Sequence, residues 1–190
     1  MKNIYLLLLF ISSTLFAQNF EKKWNKVIEF ESKEKIKSAN EVVDKIYKKA
    51  IDNKDEVQII KCFFYKSKYM QILEENAQYK ILDNLKSDIN KVSIPSKAIL
   101  NLVYAKCLED YFNKNRYQLY RRTKLDSTAN KNFLTWTQND FEDEIEQSYK
   151  KTIENESLLK KMQLSYYESI FDYLVLEKFK DENLFEYLLT

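Results

Sequence analysis

Read for the spacing of its apolar residues, the chain opens on an apolar run and continues as a succession of helical stripes. Ile4 to Phe16 is apolar except for Ser12, Ser13 and Thr14. Phe20, Trp24, Val27 and Ile28 then recur at helical spacing and predict a short first helix. After a polar break at Lys33 to Lys35, Ile36, Ala39, Val43, Ile46, Tyr47 and Ala50 form a clean stripe with Lys and Glu opposite. A second break at Asn53-Lys54 leads into Asp55 to Glu75. There Ile59, Cys62, Phe63, Tyr69, Met70 and Leu73 share one face, and Val57, Ile60 and Phe64 widen it. A helix apolar over so much of its circumference is packed from more than one side. This third helix is therefore expected to be the central post, and Phe64→Ala to destabilise by about 3–5 kcal/mol.

The rest of the chain reads the same way. Asn76 can cap a fourth helix carrying Tyr79, Leu82, Leu85, Ile89 and Val92. Pro95 suits the first turn of a fifth, where its missing N–H costs nothing. That helix is expected to run to about Asn113, with Ala98, Ile99, Leu102, Val103, Ala105, Cys107, Leu108 and Phe112 apolar. Asp55 with Gln58, Asn139 with Glu142, and Ser165 with Glu168 read as capping boxes opening the third, a sixth and a seventh helix. The sixth carries Phe141, Ile145, Tyr149 and Ile153. The seventh carries Tyr166, Ile170, Phe171, Leu174 and Val175. Helices pair through short connections at a period of roughly 35 to 40 residues, the range of helix-hairpin repeats. The expected fold is all-α, an array of antiparallel helix hairpins. A tetratricopeptide-like solenoid and an irregular helical bundle both fit this pattern.

Four segments follow. Residues 1–17 form a signal peptide, 18–115 the hairpin array, 116–132 a long polar and basic loop, and 133–190 the C-terminal helices. Loops of that length are functional or disordered. The chain stops at Leu188-Leu189-Thr190 without a polar closing helix, so its end reads as cut.

Composition narrows the chemistry. The 190 residues include no Gly, no His and one Pro. Without Gly, a hairpin-rich β fold is disfavoured and Gly-rich phosphate loops are excluded. Without His, Ser-His-Asp and Cys-His catalytic sets and imidazole metal sites are excluded. The basic residues are nearly all Lys, and the net charge is +2 with signs interspersed, so no global field draws nucleic acid or membrane. Lys2 followed by the Ile4–Phe16 run reads as a secretory signal, cleaved near Ala17-Gln18 and too short to span a bilayer comfortably. The expected location is the periplasm or cell envelope.

Four features could carry function. Cys62 and Cys107 could pair in an exported chain. If the third and fifth helices lie parallel, however, their offset is roughly 7 Å along the axis, which favours reduced, buried thiols. Glu142, Asp143, Glu144 and Glu146 form an acidic cluster, three of whose members lie at the start of the sixth helix, where negative charge suits the helix dipole. No general acid–base partner accompanies them. Arg116, Tyr117, Tyr120, Arg121, Arg122 and Lys124 interleave base and aromatic. In a cytoplasmic protein that would point to RNA or single-stranded DNA. In an exported chain the favoured reading is a loop that packs its tyrosines on the helical array, with the Arg ends in solvent or on acidic side chains. The other reading is a contact surface for another domain. Trp136 reads as an anchor where the loop returns, and as an interface candidate. No cofactor or metal is expected, and the possible interaction surface is Arg116, Tyr117, Tyr120, Arg121, Arg122 and Trp136.

The order of segments resembles a known family. A signal peptide precedes Phe20 to Glu29 (FEKKWNKVIE), then Lys37 to Tyr47 (KSANEVVDKIY), Phe63 to Tyr69 (FFYKSKY), Pro95 to Leu100 (PSKAIL), Tyr111 to Tyr117 (YFNKNRY) and Trp136. This resembles the N-terminal helical region of large bacterial alpha-2-macroglobulin-like envelope proteins, over essentially the whole mature chain. The resemblance implies a helical leader ahead of β-sandwich domains that trap proteases through a bait region and a thioester. Those parts are absent here. Cys107-Leu108-Glu109-Asp110 comes within one residue of the family's Cys-x-Glu-Gln, but Asp110 lacks the carboxamide that acylates sulfur. The expected function is a non-enzymatic interaction or scaffold module, partnered by downstream macroglobulin domains or another envelope protein, with membrane attachment left open. A self-standing periplasmic helical scaffold is the alternative.

Overall fold

A computed structural model describes residues 20–122, 133–170 and 183–189. The described residues are all-α, with no strand among them. Their one β feature is an isolated antiparallel bridge between Gln163 and Asn183. The expected signal peptide and its cleavage point lie outside them. No helix among the described residues is long and apolar enough to cross a membrane.

The chain divides into two compact units at Glu75–Asn76. The first holds α1 (residues 20–32), α2 (Ile36–Asn53) and α3 (Glu56–Leu73). The connections fall at the two expected breaks. Two residues, Lys54 and Asp55, reverse the chain between α2 and α3, which makes the pair an antiparallel hairpin. With no Gly available, Glu34 (φ 56°) and Lys54 (φ 54°) take the left-handed backbone positions that end α1 and α2. Ala39, Val43, Ile46 and Ala50 of α2 are fully buried, as are Ile60, Cys62 and Tyr69 of α3. Phe20, Trp24 and Val27 close the core from α1.

The Asp55 capping box forms only by half. Asp55 accepts from the Gln58 N–H at 3.1 Å, but the Gln58 side chain turns away and accepts from Trp24 Nε1 at 2.7 Å. That bond and the Trp24–Tyr65 ring contact at 4.7 Å tie α1 to α3.

The second unit holds α4 (Ala77–Ile89), α5 (Ile94–Leu119), a 3-10 turn at Phe133–Thr135, α6 (Gln138–Ile153), the one-turn α7 (Glu156–Leu159), a 3-10 segment at Leu164–Ile170, and α8 (Leu184–Leu189). Here α5 is the post, because α4, α6, α7 and α8 all pack on it. Pro95 sits in its first turn as expected. The buried Ser96 and Tyr167 hydroxyls share a hydrogen bond of 2.9 Å, which fastens the 3-10 segment to that turn.

Several expectations are corrected. With two units, α3 is the post of neither the whole chain nor the second core. Its end is wet: Leu73 is 41% exposed, and Phe64 is half-buried. Helix α5 runs past Asn113 through Leu119, so the loop starts later than residue 116. Buried Leu119 anchors the added turns. Asn76 makes no side-chain cap. Helix α6 is opened by Thr137 with Asp140 instead of Asn139 with Glu142. The expected seventh helix is a 3-10 segment over Leu164–Ile170 that buries Tyr167 and leaves Tyr166 58% exposed. Phe171, Leu174 and Val175 lie outside the described residues.

Candidate interaction surface

The six residues singled out by sequence separate into two groups. Four of them form two exposed clamps at the end of α5. Arg116 lays its guanidinium over the Tyr120 ring, 5.5 Å from the centroid, and donates from Nε and Nη2 to the Tyr120 hydroxyl at 3.3 and 3.0 Å. Arg121 lies 4.4 Å from the Tyr117 centroid and donates from Nη2 to the Tyr117 hydroxyl. Both pairs are four residues apart, the spacing at which side chains meet along a helix. Cation–π attraction and the hydroxyl bond act together in each. The tyrosines remain in solvent, Tyr117 at 72% and Tyr120 at 54% exposed. Positive charge at this end also suits the helix dipole.

Arg122 and Trp136 do a different job. Arg122 Nη1 donates to the Trp136 carbonyl at 3.2 Å, linking the end of α5 to the segment that returns ahead of α6. The Trp136 ring packs edge-on against Phe141 at 5.2 Å and Phe133 at 6.3 Å. Phe141, fully buried, also meets Tyr111, Phe112 and Phe133. Trp136 is therefore the rim of an aromatic core, the anchor role expected of it. Lys124 lies outside the described residues.

A small cleft of about 40 Å³ opens beside that core. Tyr79, Leu82, Asp83, Lys86, Tyr104, Phe133 and Trp136 line it. Lys86 lies between the Tyr104 and Trp136 rings, 5.7 Å from each centroid, and pairs with Glu144 at 3.2 Å. Tyr104 donates to the same Glu144 oxygen at 3.2 Å. Burial first, then the Glu144 carboxylate, pushes the Tyr104 phenol well above its ordinary value. Sequence reasoning missed this cluster. Its members come from α4, α5 and α6, and no local spacing joins them.

The acidic cluster disperses onto separate neighbours. Glu142 accepts from Gln138 Nε2 at 2.7 Å, Glu144 serves Tyr104 and Lys86, and Glu146 pairs with Lys150 at 2.5 Å. Neither cysteine is in a disulfide: Cys62 is buried in the first unit and Cys107 half-buried in the second. Burial, then Asp110, pushes the Cys107 thiol up. The Cys107–Asp110 stretch is regular mid-helix.

Comparison of the chain with models of protein families, with curated proteins and with solved structures finds no match in any of the three.

Proposed function

We propose that this chain is an exported, non-enzymatic helical module that works by binding another protein through the end of α5. The observation that carries the reading is the pair of Arg–Tyr clamps. Exposed Tyr and Arg are the side chains that most often supply binding energy at protein interfaces. A tyrosine ring held by a neighbouring guanidinium loses little further freedom on docking. Photo-crosslinking tests the reading. A benzophenone amino acid at position 117, introduced in the native host, is expected to give a covalent adduct with a second protein. The same group at exposed Lys33 is the control, and adducts equal at both positions, or none at 117, would refute a specific surface here.

The narrower form of the proposal is the N-terminal helical part of an alpha-2-macroglobulin-like envelope protein. It rests on the ordered segments from Phe20 to Trp136 alone. Coding sequence continuing past Thr190 into β-sandwich domains with Cys-x-Glu-Gln is the outcome it expects. A stop codon there would remove the macroglobulin part and leave a helical binding module. Export has its own test, because Edman sequencing of the native product should begin near Gln18.

A further inference from the structure

The clamps have a chemistry that narrows the partner. Of the 31 Lys and Arg residues in this chain, only three are Arg, and all three fall within residues 116–122. Everywhere else positive charge is supplied by Lys. Lys is sufficient for a point charge, whereas Arg offers a planar fork that grips a carboxylate through two parallel bonds. From Tyr111 to Arg122 the chain has no Asp or Glu, and Lys114 adds to the charge. The nearest acids on the helix are Glu109, which accepts from Tyr149 at 2.8 Å, and exposed Asp110, one turn before Lys114. No carboxylate pairs with Arg116 or Arg121 among the described residues.

Each guanidinium carries five N–H donors. Arg116 engages Nε and Nη2 with Tyr120, and Arg121 engages Nη2 with Tyr117. The remaining donors face no protein acceptor among the described residues. Tyr117 and Tyr120 therefore act as holders that fix two forks in place while leaving part of each fork unengaged by the described residues.

We infer that the end of α5 docks an acidic segment of a partner protein, with Arg116 and Arg121 each taking a carboxylate and Tyr117 and Tyr120 packing on the apolar stems between them. This rests on the proposed binding role and specifies its partner by charge. Complementarity of sign would also speed the encounter and make it sensitive to salt.

The test uses the purified full-length protein and a fluorescein-labelled peptide of alternating Glu and Ser, read by anisotropy. The wild type is expected to bind, more weakly as salt rises. The double substitution R116K/R121K keeps the charge but removes the forks, and is expected to weaken binding about fivefold or more. Y117F/Y120F is expected to weaken it as well, because it frees the guanidiniums. K33Q/K150Q, which removes charge elsewhere, should leave affinity unchanged. These sites are exposed, so unchanged thermal melts will show that each variant is folded. Binding by R116K/R121K as tight as wild type would overturn the inference, as would absence of peptide binding or preference for phosphatidylglycerol vesicles over the peptide. A position-117 crosslink obtained alongside any of those results would leave the protein-binding role standing and remove only the acidic partner.

Discussion

The Tyr104 hydroxyl donates to the Glu144 carboxylate at 3.2 Å, joining α5 to α6, and Lys86 of α4 closes on the same oxygen at 3.2 Å. Tyr104 is buried apart from the small cleft it lines, and Glu144 is the acceptor its hydroxyl meets. Lys86 is half in solvent, and its ion pair contributes little. Glu144→Ala should therefore cost about 1–3 kcal/mol, most of it from the orphaned phenol. Tyr104→Phe in the Glu144→Ala background should cost less than in the wild type, with a coupling of about 0.5–3 kcal/mol. Urea melts of the four proteins measure it, and strict additivity would mean the bond does not hold the two helices.

Phe141 is the position to truncate if the second core is to be tested. Its ring is fully buried and touches four others, from Tyr111, Phe112, Phe133 and Trp136. Phe141→Ala should cost about 3–5 kcal/mol, the range for a buried aromatic. Phe64 is only half-buried, and Phe64→Ala should cost about half as much or less, since the loss scales with area removed from water. Equal losses in urea would show that α3 is more central than its exposure indicates.

The contrast between Phe141 and Phe64 marks what could be read from sequence. The stripe of α2 and the breaks at Lys33–Lys35 and Asn53–Lys54 were legible because hydrophobic periodicity and short polar breaks are local signals. Of the stripe expected on α4, only Leu82 and Leu85 are buried in the helix, Tyr79 being 37% exposed and Val92 lying past its end. The share of burial on α3 was not legible. A wide apolar face says that a helix is covered, but not by what, and Leu73 and Ile72 end in solvent. The end of α5 was missed because Asn113 to Tyr120 is polar by composition, while one residue, Leu119, holds the last turns to the core. The clamp residues were singled out from their interleaving alone. Their division into Arg116–Tyr120, Tyr117–Arg121 and Arg122–Trp136 depends on that extra helix, which sets the four-residue spacing to work. The cluster around Glu144 could not be read at all, since three helices supply it.

Lys54 carries strain that a single substitution can relieve. It ends α2 in the left-handed region (φ 54°, ψ 36°), while its N–H bonds to the Ala50 and Ile51 carbonyls. A residue with a Cβ loses roughly 1–2 kcal/mol there, and Gly recovers that at an entropic cost of roughly 0.5–1 kcal/mol. Lys54→Gly should therefore stabilise the protein by about 0.5–1 kcal/mol. Lys54→Ala should give no such gain. A Gly variant that melts below wild type would mean the Lys54 side chain holds the turn by other means.

The response to pH should be flat near neutrality and fall on the alkaline side. The chain has no His, so no side chain titrates at its ordinary value between about pH 6 and about pH 8. Tyr104 and Tyr69 are buried phenols, pushed up first by burial and then by Glu144 and Glu31 respectively. The Cys107 thiol is pushed up by burial and Asp110. All three hold their protons more tightly folded than unfolded. Their contribution is complete below the unfolded values, 9.0 for the thiol and 10.0 for the phenols, and is lost as pH rises through the folded ones. Urea midpoints should be constant across the neutral range and drop above about pH 9. Tyr104→Phe should shallow that drop. A midpoint that moves between about pH 6 and about pH 8 would point to a titrating group other than these three.

The start of α6 distinguishes two readings of the same letters. Asn139 with Glu142 has the spacing of a capping box, and so does Thr137 with Asp140. In the structure Thr137 Oγ1 accepts from the Asp140 N–H at 3.4 Å, and Asp140 Oδ2 accepts from the Thr137 N–H at 2.8 Å and its hydroxyl at 2.7 Å. Glu142 is occupied by Gln138 instead. Thr137→Ala should cost about 0.5–2 kcal/mol, and Thr137→Ser should recover most of it. Asn139→Ala, inside the helix and exposed, should stay within about 0.5 kcal/mol of wild type. The choice matters beyond stability. A helix beginning at Gln138 leaves Trp136 outside it, with its carbonyl free to accept from Arg122 at 3.2 Å. Were Asn139 the cap, the order of the two losses would reverse, and the link between the end of α5 and the returning chain would have to be redrawn.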